Sequence, residues 1–372
     1  MTNHNFMKTA IHLAEKNVGN TGKNPSVACL IELENNIIGI GLTGNHGRPH
    51  AEYNALANSK SDVKGSTAYV TLEPCSHEGE TPSCARILAE AGIKKFVSPI
   101  LDPNPIVNGE GFALLSKLGV EVELCARYAV DAQKLIEGFS KNMLTGKPFV
   151  TLKLATSLDG KIALKSGESK WISGIDSRKY TQLLRFKNDA VMIGSNTFQA
   201  DNPELKVREK FGSDKQPARV LLSTSFKLKP DGKIFDSLQS QRTLIFTCSN
   251  HNENWEAWET AGAEIFTIEE SEGKLNLHRV LSKLGSLGIS SLLVEGGSKL
   301  SASLISDNLV DRIIIFYSGK IFGSTGVSAI SSLSRLSDEI DNLPEFFIED
   351  SKKYGNDLMV SWIKNLNHKE GK

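Results

Sequence analysis

The chain has 372 residues, 40% of them hydrophobic, which suggests about two domains with ordinary apolar cores. Lys+Arg and Asp+Glu each number 43, so no net basic field exists to collect nucleic acid, and a small-molecule substrate fits better. Scattered cysteines at 29, 75, 84, 125 and 248 do not form a disulfide framework; with no apolar signal core in Met1 to Lys8 and no stretch of about 18 apolar residues, the chain reads as cytoplasmic, without a membrane partner.

Asn5 to Val18 places Phe6, Ala10, Leu13 and Ala14 on one stripe and stops at Gly19, which predicts an amphipathic helix. Strands are expected at Val27 to Leu33 and Ile37 to Leu42, joined by the polar turn Glu34-Asn35-Asn36. Gly39-Ile40-Gly41-Leu42-Thr43-Gly44 fits GxGxxG, but its glycines fall inside this hairpin. A dinucleotide fingerprint needs a direct strand-to-helix turn, so we reject it. Pro49 then opens a helix of good formers, Ala51 to Ala57, and His50-Ala51-Glu52 lies at its entry, where residues two apart can still converge. Glu73-Pro74-Cys75 follows the strand-like run Thr67 to Thr71, and Cys84 opens the helical stretch Ala85 to Ala91, closed by Gly92.

His-x-Glu followed by Pro-Cys and a further cysteine is the pattern of zinc deaminases, in which the glutamate is not a ligand. The expected ligands are His50, Cys75 and Cys84, with Glu52 as proton carrier. Three protein donors leave the fourth tetrahedral position to water, whose pKa a zinc ion lowers from about 15.7 to about 7. The second cysteine usually follows after two intervening residues, whereas here Ser76 to Ser83 intervene, which makes His77 a rival ligand. Cys29, Cys125 and Cys248 read as packing residues.

Strand-like runs continue at Lys95 to Ile100 and Val120 to Leu124, giving an α/β layered domain. Tyr128 to Leu144 looks helical, and Thr145-Gly146-Lys147-Pro148 breaks it, so the domains are placed at 1–146 and 147–372. Beyond lie strands at Phe149 to Ala155, Ala190 to Ile193, Arg219 to Ser223, Thr243 to Thr247, Ser291 to Val294 and Arg312 to Tyr317. Helical patterns at Ser177 to Lys187, His278 to Leu287 and Ser298 to Leu304 alternate with them, which predicts a mostly parallel sheet covered by helices. Glu295-Gly296-Gly297-Ser298 joins a strand directly to a helix, a junction that suits phosphate but is often only structural.

The run from Thr71 to Cys84, including Ser76-His77-Glu78-Gly79-Glu80-Thr81-Pro82-Ser83, resembles the bifunctional deaminase-reductases of riboflavin biosynthesis. The likeness extends through Asn24-Pro25-Ser26-Val27, Asp102-Pro103-Asn104-Pro105, Ser157-Leu158-Asp159-Gly160-Lys161, Ser166-Gly167-Glu168-Ser169-Lys170-Trp171-Ile172 and Val294-Glu295-Gly296-Gly297. Ala28, Tyr53 and Ser83 depart from the usual glycine, valine and proline. The resemblance implies a cytidine-deaminase-like three-layer domain followed by a dihydrofolate-reductase-like α/β domain, with Zn2+ and NADPH as cofactors.

It further implies that the substrate is a phosphorylated pyrimidine, with Asn24, Asp102 and Asn104 in base-recognition loops. In the second domain Ala155, Trp171, Thr197, Asp201, Gly297, Ser298, Lys299, Leu300, Ser301, Ala302 and Ser303 match cofactor positions. Ser169, Arg185, Leu205, Arg208 and Glu295 match substrate positions, where two arginines can take a phosphate. Ser223 and Thr224 end a strand where hydroxyls could meet the 2′-phosphate of NADPH. Lys153 and Glu295 are catalytic candidates for orienting the sugar, with an ion pair tying two strands as the rival reading. Other readings are a nucleoside or nucleic-acid deaminase with an unrelated nucleotide-binding C-terminal domain, and a binding module with structural zinc. The long intercysteine loop and neutral charge disfavour the first, and three ligands rather than four disfavour the second. A homo-oligomer is compatible with the sequence, which does not fix the oligomeric state.

Overall fold

A computed structural model of the chain describes residues 3–77, 82–105, 107–249, 253–333 and 340–364, and its contacts divide into two units, Met1–Gly146 and Lys147–Lys372. Glu78, Gly79, Glu80 and Thr81 of the intercysteine loop lie outside the described residues.

In the first unit, α1 (Asn3–Asn17) buries Phe6, Met7, Ala10 and Ala14 against Ala28, Leu30, Tyr69 and Val97. β1 (Ala28–Leu33) and β2 (Asn36–Leu42) pair antiparallel across a two-residue loop, Glu34 and Asn35, with φ of 51° and 63°. Two consecutive positive φ values match the twist of the strands, so Asn36, expected in the turn, pairs with Leu33 instead. Next come α2 (Ala51–Ala57), β3 (Thr67–Val70), α3 (Cys84–Glu90), β4 (Lys95–Ser98), α4 (Glu110–Lys117) and β5 (Glu121–Leu124). The sheet order is β2-β1-β3-β4-β5, with β3, β4 and β5 mutually parallel. Ala51, Ala55, Ala85, Leu88 and Leu115, from α2, α3 and α4, cover the face opposite α1 with Cys29, Ile31, Ala68, Val70 and Phe96, completing three layers. The single helix expected over Tyr128 to Leu144 is two, α5 (Ala129–Leu135) and α6 (Glu137–Thr145), because Ile136 leaves helical geometry at φ −118° and ψ 12°.

Gly39 and Gly41 are explained by contact rather than by a ligand. A Cβ at Gly41 would stand 2.0 Å from Ala51 O and 2.2 Å from Ala55 N, and one at Gly39 would stand 2.6 Å from Ala55 O. Helix α2 therefore rests directly on strand backbone, which only glycine permits.

The second unit contains β6 (Phe149–Thr156), β7 (Lys161–Ala163), α7 (Ile175–Lys187), β8 (Ala190–Gly194), α8 (Ser195–Asp201), β9 (Ala218–Leu222) and α9 (Gly232–Phe235). It continues with β10 (Thr243–Thr247), α10 (Glu253–Thr260), β11 (Glu264–Thr267), β12 (Glu270–Ser271), β13 (Lys274–Leu275), α11 (Leu277–Ser286) and β14 (Ser291–Val294). The last elements are α12 (Ser298–Ser306), β15 (Arg312–Tyr317), β16 (Val327–Ser328), β17 (Phe346–Tyr354) and β18 (Asp357–Lys364). The main sheet runs β11-β10-β9-β8-β14-β6-β15-β18-β17; it is parallel as far as β15, and β18 and β17 are antiparallel additions at one edge. Val150, Leu152 and Leu154 pack against Val280, Leu281 and Leu284 of α11 and Leu304 of α12. On the other face, Val191, Ile193, Leu221 and Leu293 meet Leu184, Phe198 and Trp258 from α7, α8 and α10.

Glu73, 3% exposed, holds the active end of the first unit in place. Its Oε2 accepts the N–H groups of Asp102 (2.8 Å) and Gly109 (3.0 Å), and its Oε1 those of Gly111 (2.9 Å) and Phe112 (3.3 Å). Removing the carboxylate strands buried donors, each a loss of about 1–3 kcal/mol before relaxation. Glu73→Ala should therefore destabilise the first unit by about 3 kcal/mol. Amide hydrogen exchange should show lost protection at Asp102, Gly109, Gly111 and Phe112, and unchanged exchange there would refute the assignment.

Candidate functional site

The Nδ1 of His50 and the Sγ atoms of Cys75 and Cys84 lie within 4.8 Å of one another. His50 Nδ1 is 3.2 Å from Cys84 Sγ and 3.7 Å from Cys75 Sγ, and the backbone N–H of Cys84 donates to Cys75 Sγ at 3.2 Å. Three different elements deliver these atoms. His50 is the N-cap of α2, which begins at Ala51; Pro49, expected inside the first turn, stands before the cap. Cys75 follows β3, and Cys84 is the first residue of α3, whose N-cap Ser83 accepts the N–H of Arg86. His77, the rival ligand, is exposed and outside the group.

The site concentrates negative charge on sulfur. The hydrogen bond from Cys84 holds the Cys75 thiol down to about 4, with His50 adding to the effect, while that same bond and burial push Cys84 up. Glu52, 4% exposed, lies beside Cys84, and burial pushes its carboxyl up to about 7. Imidazole and thiolates are the donors zinc prefers, and no fourth protein donor joins them among the described residues. The donor set therefore fits a reactive zinc centre.

The expected base-recognition residues border this centre. Asn24 donates through Nδ2 to His46 O at 3.4 Å, against the segment that leads into His50, and a Cβ at Gly47 would stand 1.8 Å from that amide. Asp102 accepts the N–H of Asn104 at 2.8 Å, and burial raises its pKa. Glu73 bonds the N–H of Asp102, which connects this loop to the segment carrying Cys75.

In the second unit, β9, β8, β14 and β6 are consecutive in the sheet and parallel, so their C-terminal ends form one rim. That is the place where open α/β sheets receive nucleotides. Ser223 and Thr224 follow β9, α8 with Thr197 and Asp201 follows β8, Glu295 and Gly297 follow β14, and Ala155 lies near the end of β6. A Cβ at Gly297 would stand 3.2 Å from Thr197 Oγ1, so the two helix entries meet at that glycine. Gly297 caps α12 without a side-chain hydrogen bond, leaving the first-turn N–H groups open to an anion. Ser298, Lys299 and Ser303 retain exposure, Leu300 packs partly on the core, and Ser301 and Ala302 are buried. These features suit a dinucleotide phosphate. Trp171 is 60% exposed, with the Arg178 guanidinium 4.5 Å from its ring centroid and Ser169 half-buried nearby in sequence.

Glu295 does not pair with Lys153. Its Oε1 accepts Arg185 Nε at 2.5 Å and its Oε2 accepts Arg185 Nη2 at 3.0 Å, an arrangement the sequence did not signal across 110 positions. Arg185, expected at the substrate phosphate, therefore bonds a carboxylate in this ligand-free structure. Arg208 is exposed and bonded to Glu204 at 3.0 Å, and Leu205 is buried in the left-handed region at φ 53°. Gln241 Nε2 donates to Leu205 O at 3.3 Å and holds it there.

Among the described residues, no helix is long and apolar enough to cross a membrane. The family model for the cytidine and deoxycytidylate deaminase zinc-binding region matches residues 1–99, and that for the RibD C-terminal domain matches residues 148–360. The riboflavin biosynthesis protein RibD of Aquifex aeolicus is 36% identical over 94% of this chain and 98% of its own length. The structure of Acinetobacter baumannii RibD superimposes with a TM-score of 0.86 at 33% identity, covering 96% of this chain and 98% of that one. The Thermotoga maritima diaminohydroxyphosphoribosylaminopyrimidine deaminase/5-amino-6-(5-phosphoribosylamino)uracil reductase does so at 0.85 and 33%, covering 97% and 98%. The chain belongs to the RibD family of riboflavin-biosynthesis proteins.

Proposed function

We propose that the chain catalyses two consecutive steps of riboflavin biosynthesis. Residues 1–146 deaminate 2,5-diamino-6-ribosylamino-4(3H)-pyrimidinone 5′-phosphate, and residues 147–372 reduce the ribosyl group of the product to ribityl with NADPH. The observation that carries this reading is the meeting of His50, Cys75 and Cys84 within 4.8 Å beside buried Glu52, in one chain with a parallel sheet whose strand ends lead into the Gly297 helix entry. Family membership supports both halves.

His50, Cys75 and Cys84 would hold a zinc ion, which would supply the Lewis acidity that makes water reactive at neutral pH. Glu52 takes the proton of the attacking water on its carboxylate and delivers it to the ring nitrogen, then to the departing ammonia. Its burial keeps bulk water from competing for that proton. Asn24, Asp102 and Asn104 orient the base. In the second unit the strand-end residues would hold NADPH, whose chemistry when bound would be hydride donation to C1′ of the sugar. Gly297, Ser298, Thr197 and Ser223 line its berth, Ser169 and Arg208 face the substrate phosphate, and Lys153 and Glu295 face the sugar.

The direct test is incubation with the diaminopyrimidine, with and without NADPH, followed by mass analysis. Amine-for-oxygen exchange should occur without NADPH, and addition of two hydrogens only with it. Failure of the first step with zinc-loaded protein would remove the deaminase reading.

Four variants test the assignment of roles. Cys75→Ser or Cys84→Ser should lose bound zinc and deamination together, whereas His77→Ala should keep both; metal analysis showing the reverse would reassign the ligands. Glu52→Gln should retain zinc but lose deamination by about 10²- to 10⁴-fold, because the amide cannot shuttle protons. Reduction of pre-deaminated substrate by that variant should proceed at the wild-type rate.

A further inference from the structure

Trp171 is largely exposed and lies between β7 and α7 in a segment without regular structure, yet that segment is fastened at three points. Lys320 Nζ donates to Trp171 O at 2.5 Å, Arg178 Nη1 donates to Ser173 O at 2.7 Å, and the N–H of Gly174 donates to Asp357 Oδ2 at 2.7 Å. The Arg178 guanidinium also stands 4.5 Å from the centroid of the indole. Single exposed apolar side chains are ordinary on protein surfaces, and ordering one costs conformational entropy. An exposed indole held by several separate elements therefore points to a use for its placement.

These fastenings lead to one place, the tip of the hairpin between β17 and β18. Gly174 is the N-cap of α7 and has no side chain to cap it. In a capping box a Glu or Gln at the third helical position reaches back to the N-cap N–H, but that position here is Ser177. Asp357, the first residue of β18 and 5% exposed, takes the part from 183 positions away. Its Oδ2 accepts the Gly174 N–H and also the Ser177 hydroxyl, the latter at 2.5 Å. A carboxylate at this end of α7 suits the helix dipole as well. A Cβ at Gly355 would stand 3.0 Å from Asp176 Oδ2, and one at Gly319, beside Lys320, would stand 3.9 Å from Asn356 Nδ2. The start of α7, which carries Arg178, and the segment that carries Lys320 both border the tip from Gly355 to Asp357.

We propose that Asp357 is a positioning residue of the reductase: from the hairpin tip it fixes the Gly174 end of the Trp171 segment and, through the start of α7, the Arg178 guanidinium against the indole, and so sets where the indole stands for the cofactor. The proposal rests on the reductase reading, in which Trp171 is a cofactor contact, and deepens it by tying that contact to the antiparallel edge of the sheet. Asp357 acts only through the segment it holds. Without its carboxylate the Gly174 N–H and the Ser177 hydroxyl lose their common acceptor, and the indole is left on a looser segment.

The test uses the full-length protein and two readouts. Fluorescence anisotropy decay, with the signal of Trp171→Ala subtracted, reports motion of this one indole without cofactor. Its decay should gain a fast component in Asp357→Ala and in Asp357→Ser, whose hydroxyl is too short to bridge both donors. The serine variant keeps the tip polar and carries the test if the alanine variant does not fold. Asp357→Asn, near-isosteric and offering an oxygen to the same two donors, should stay close to wild type. Titration with NADPH is the second readout: Asp357→Ala or Asp357→Ser should bind it about tenfold more weakly, the scale of coupling between residues that share a contact. The same substitution made in a Trp171→Ala background should add little, because the residue through which Asp357 acts is already gone. An unchanged anisotropy decay, an unchanged NADPH affinity, or an equal further loss of affinity in the Trp171→Ala background would overturn the proposal, the last by assigning Asp357 to stability alone. Wild-type protein that binds no NADPH would instead refute the reductase reading, while the anisotropy comparison would still judge what Asp357 holds.

Discussion

A single buried carboxylate bears the geometry of the first unit. Glu73 gathers N–H groups from residues 29 to 39 positions further along the chain, and each is an obligatory donor that an irregular loop could not otherwise satisfy indoors. Because Cys75 is two residues away, the loop carrying Asp102 and Asn104 and the start of α4 are referred to the same point as one of the three clustered donor residues. The approach is close enough that a Cβ at Gly111 would stand 2.0 Å from Pro74 O. The loop and the donor cluster are thus held together by bonds to a carboxylate, which are stronger than bonds between neutral groups.

Both units obey one rule about buried charge and depart from it where a ligand belongs. Arg219, fully buried, donates to Thr243 Oγ1, Ser237 Oγ, Ser237 O and Gln241 O, and Arg312 is matched by Glu349. These groups are satisfied and inert. The Cys75 thiol, held down by its hydrogen bond from Cys84, and Lys153, which has no hydrogen-bond or ion-pair partner among the described residues, stand apart from that pattern.

Local chemistry in the sequence announced some of this and long-range pairing concealed the rest. His50 and Glu52 at a helix entry, Cys75 after a strand and Cys84 at a second helix entry form a marked spacing, so their meeting was foreseeable; so was the alternation of strands and helices that makes the two α/β units. The role of Glu73 was hidden, because its partners are backbone groups that leave no trace in side-chain pattern. The Arg185–Glu295 pair was hidden for a related reason: either residue alone looks like a solvated helix or strand end. The edge strands β17 and β18 were missed although a signal existed. Tyr354 pairs with Asp357 across Gly355-Asn356, a two-residue Gly-Asn loop of the hairpin type followed by the strand-forming run Leu358 to Ile363, with φ 61° at Gly355. The start of α2 was misplaced by one element of chemistry, since Pro49 suits a first helical turn but here precedes the cap formed by His50.

The bare strand under α2 has a consequence for how the deaminase centre tolerates change. With Gly41 facing Ala51 O and Ala55 N, no compressible side chain lies between the sheet and the helix that carries Glu52, with His50 at its cap. Side-chain layers elsewhere can absorb a substitution by rotating a methyl or shifting a rotamer, but two backbones in contact have no such slack. The sheet acts as a fixed stop that sets the depth of Glu52. Variation in the first unit must therefore be absorbed by its side-chain layers, leaving the contact between α2 and the strand backbone unchanged.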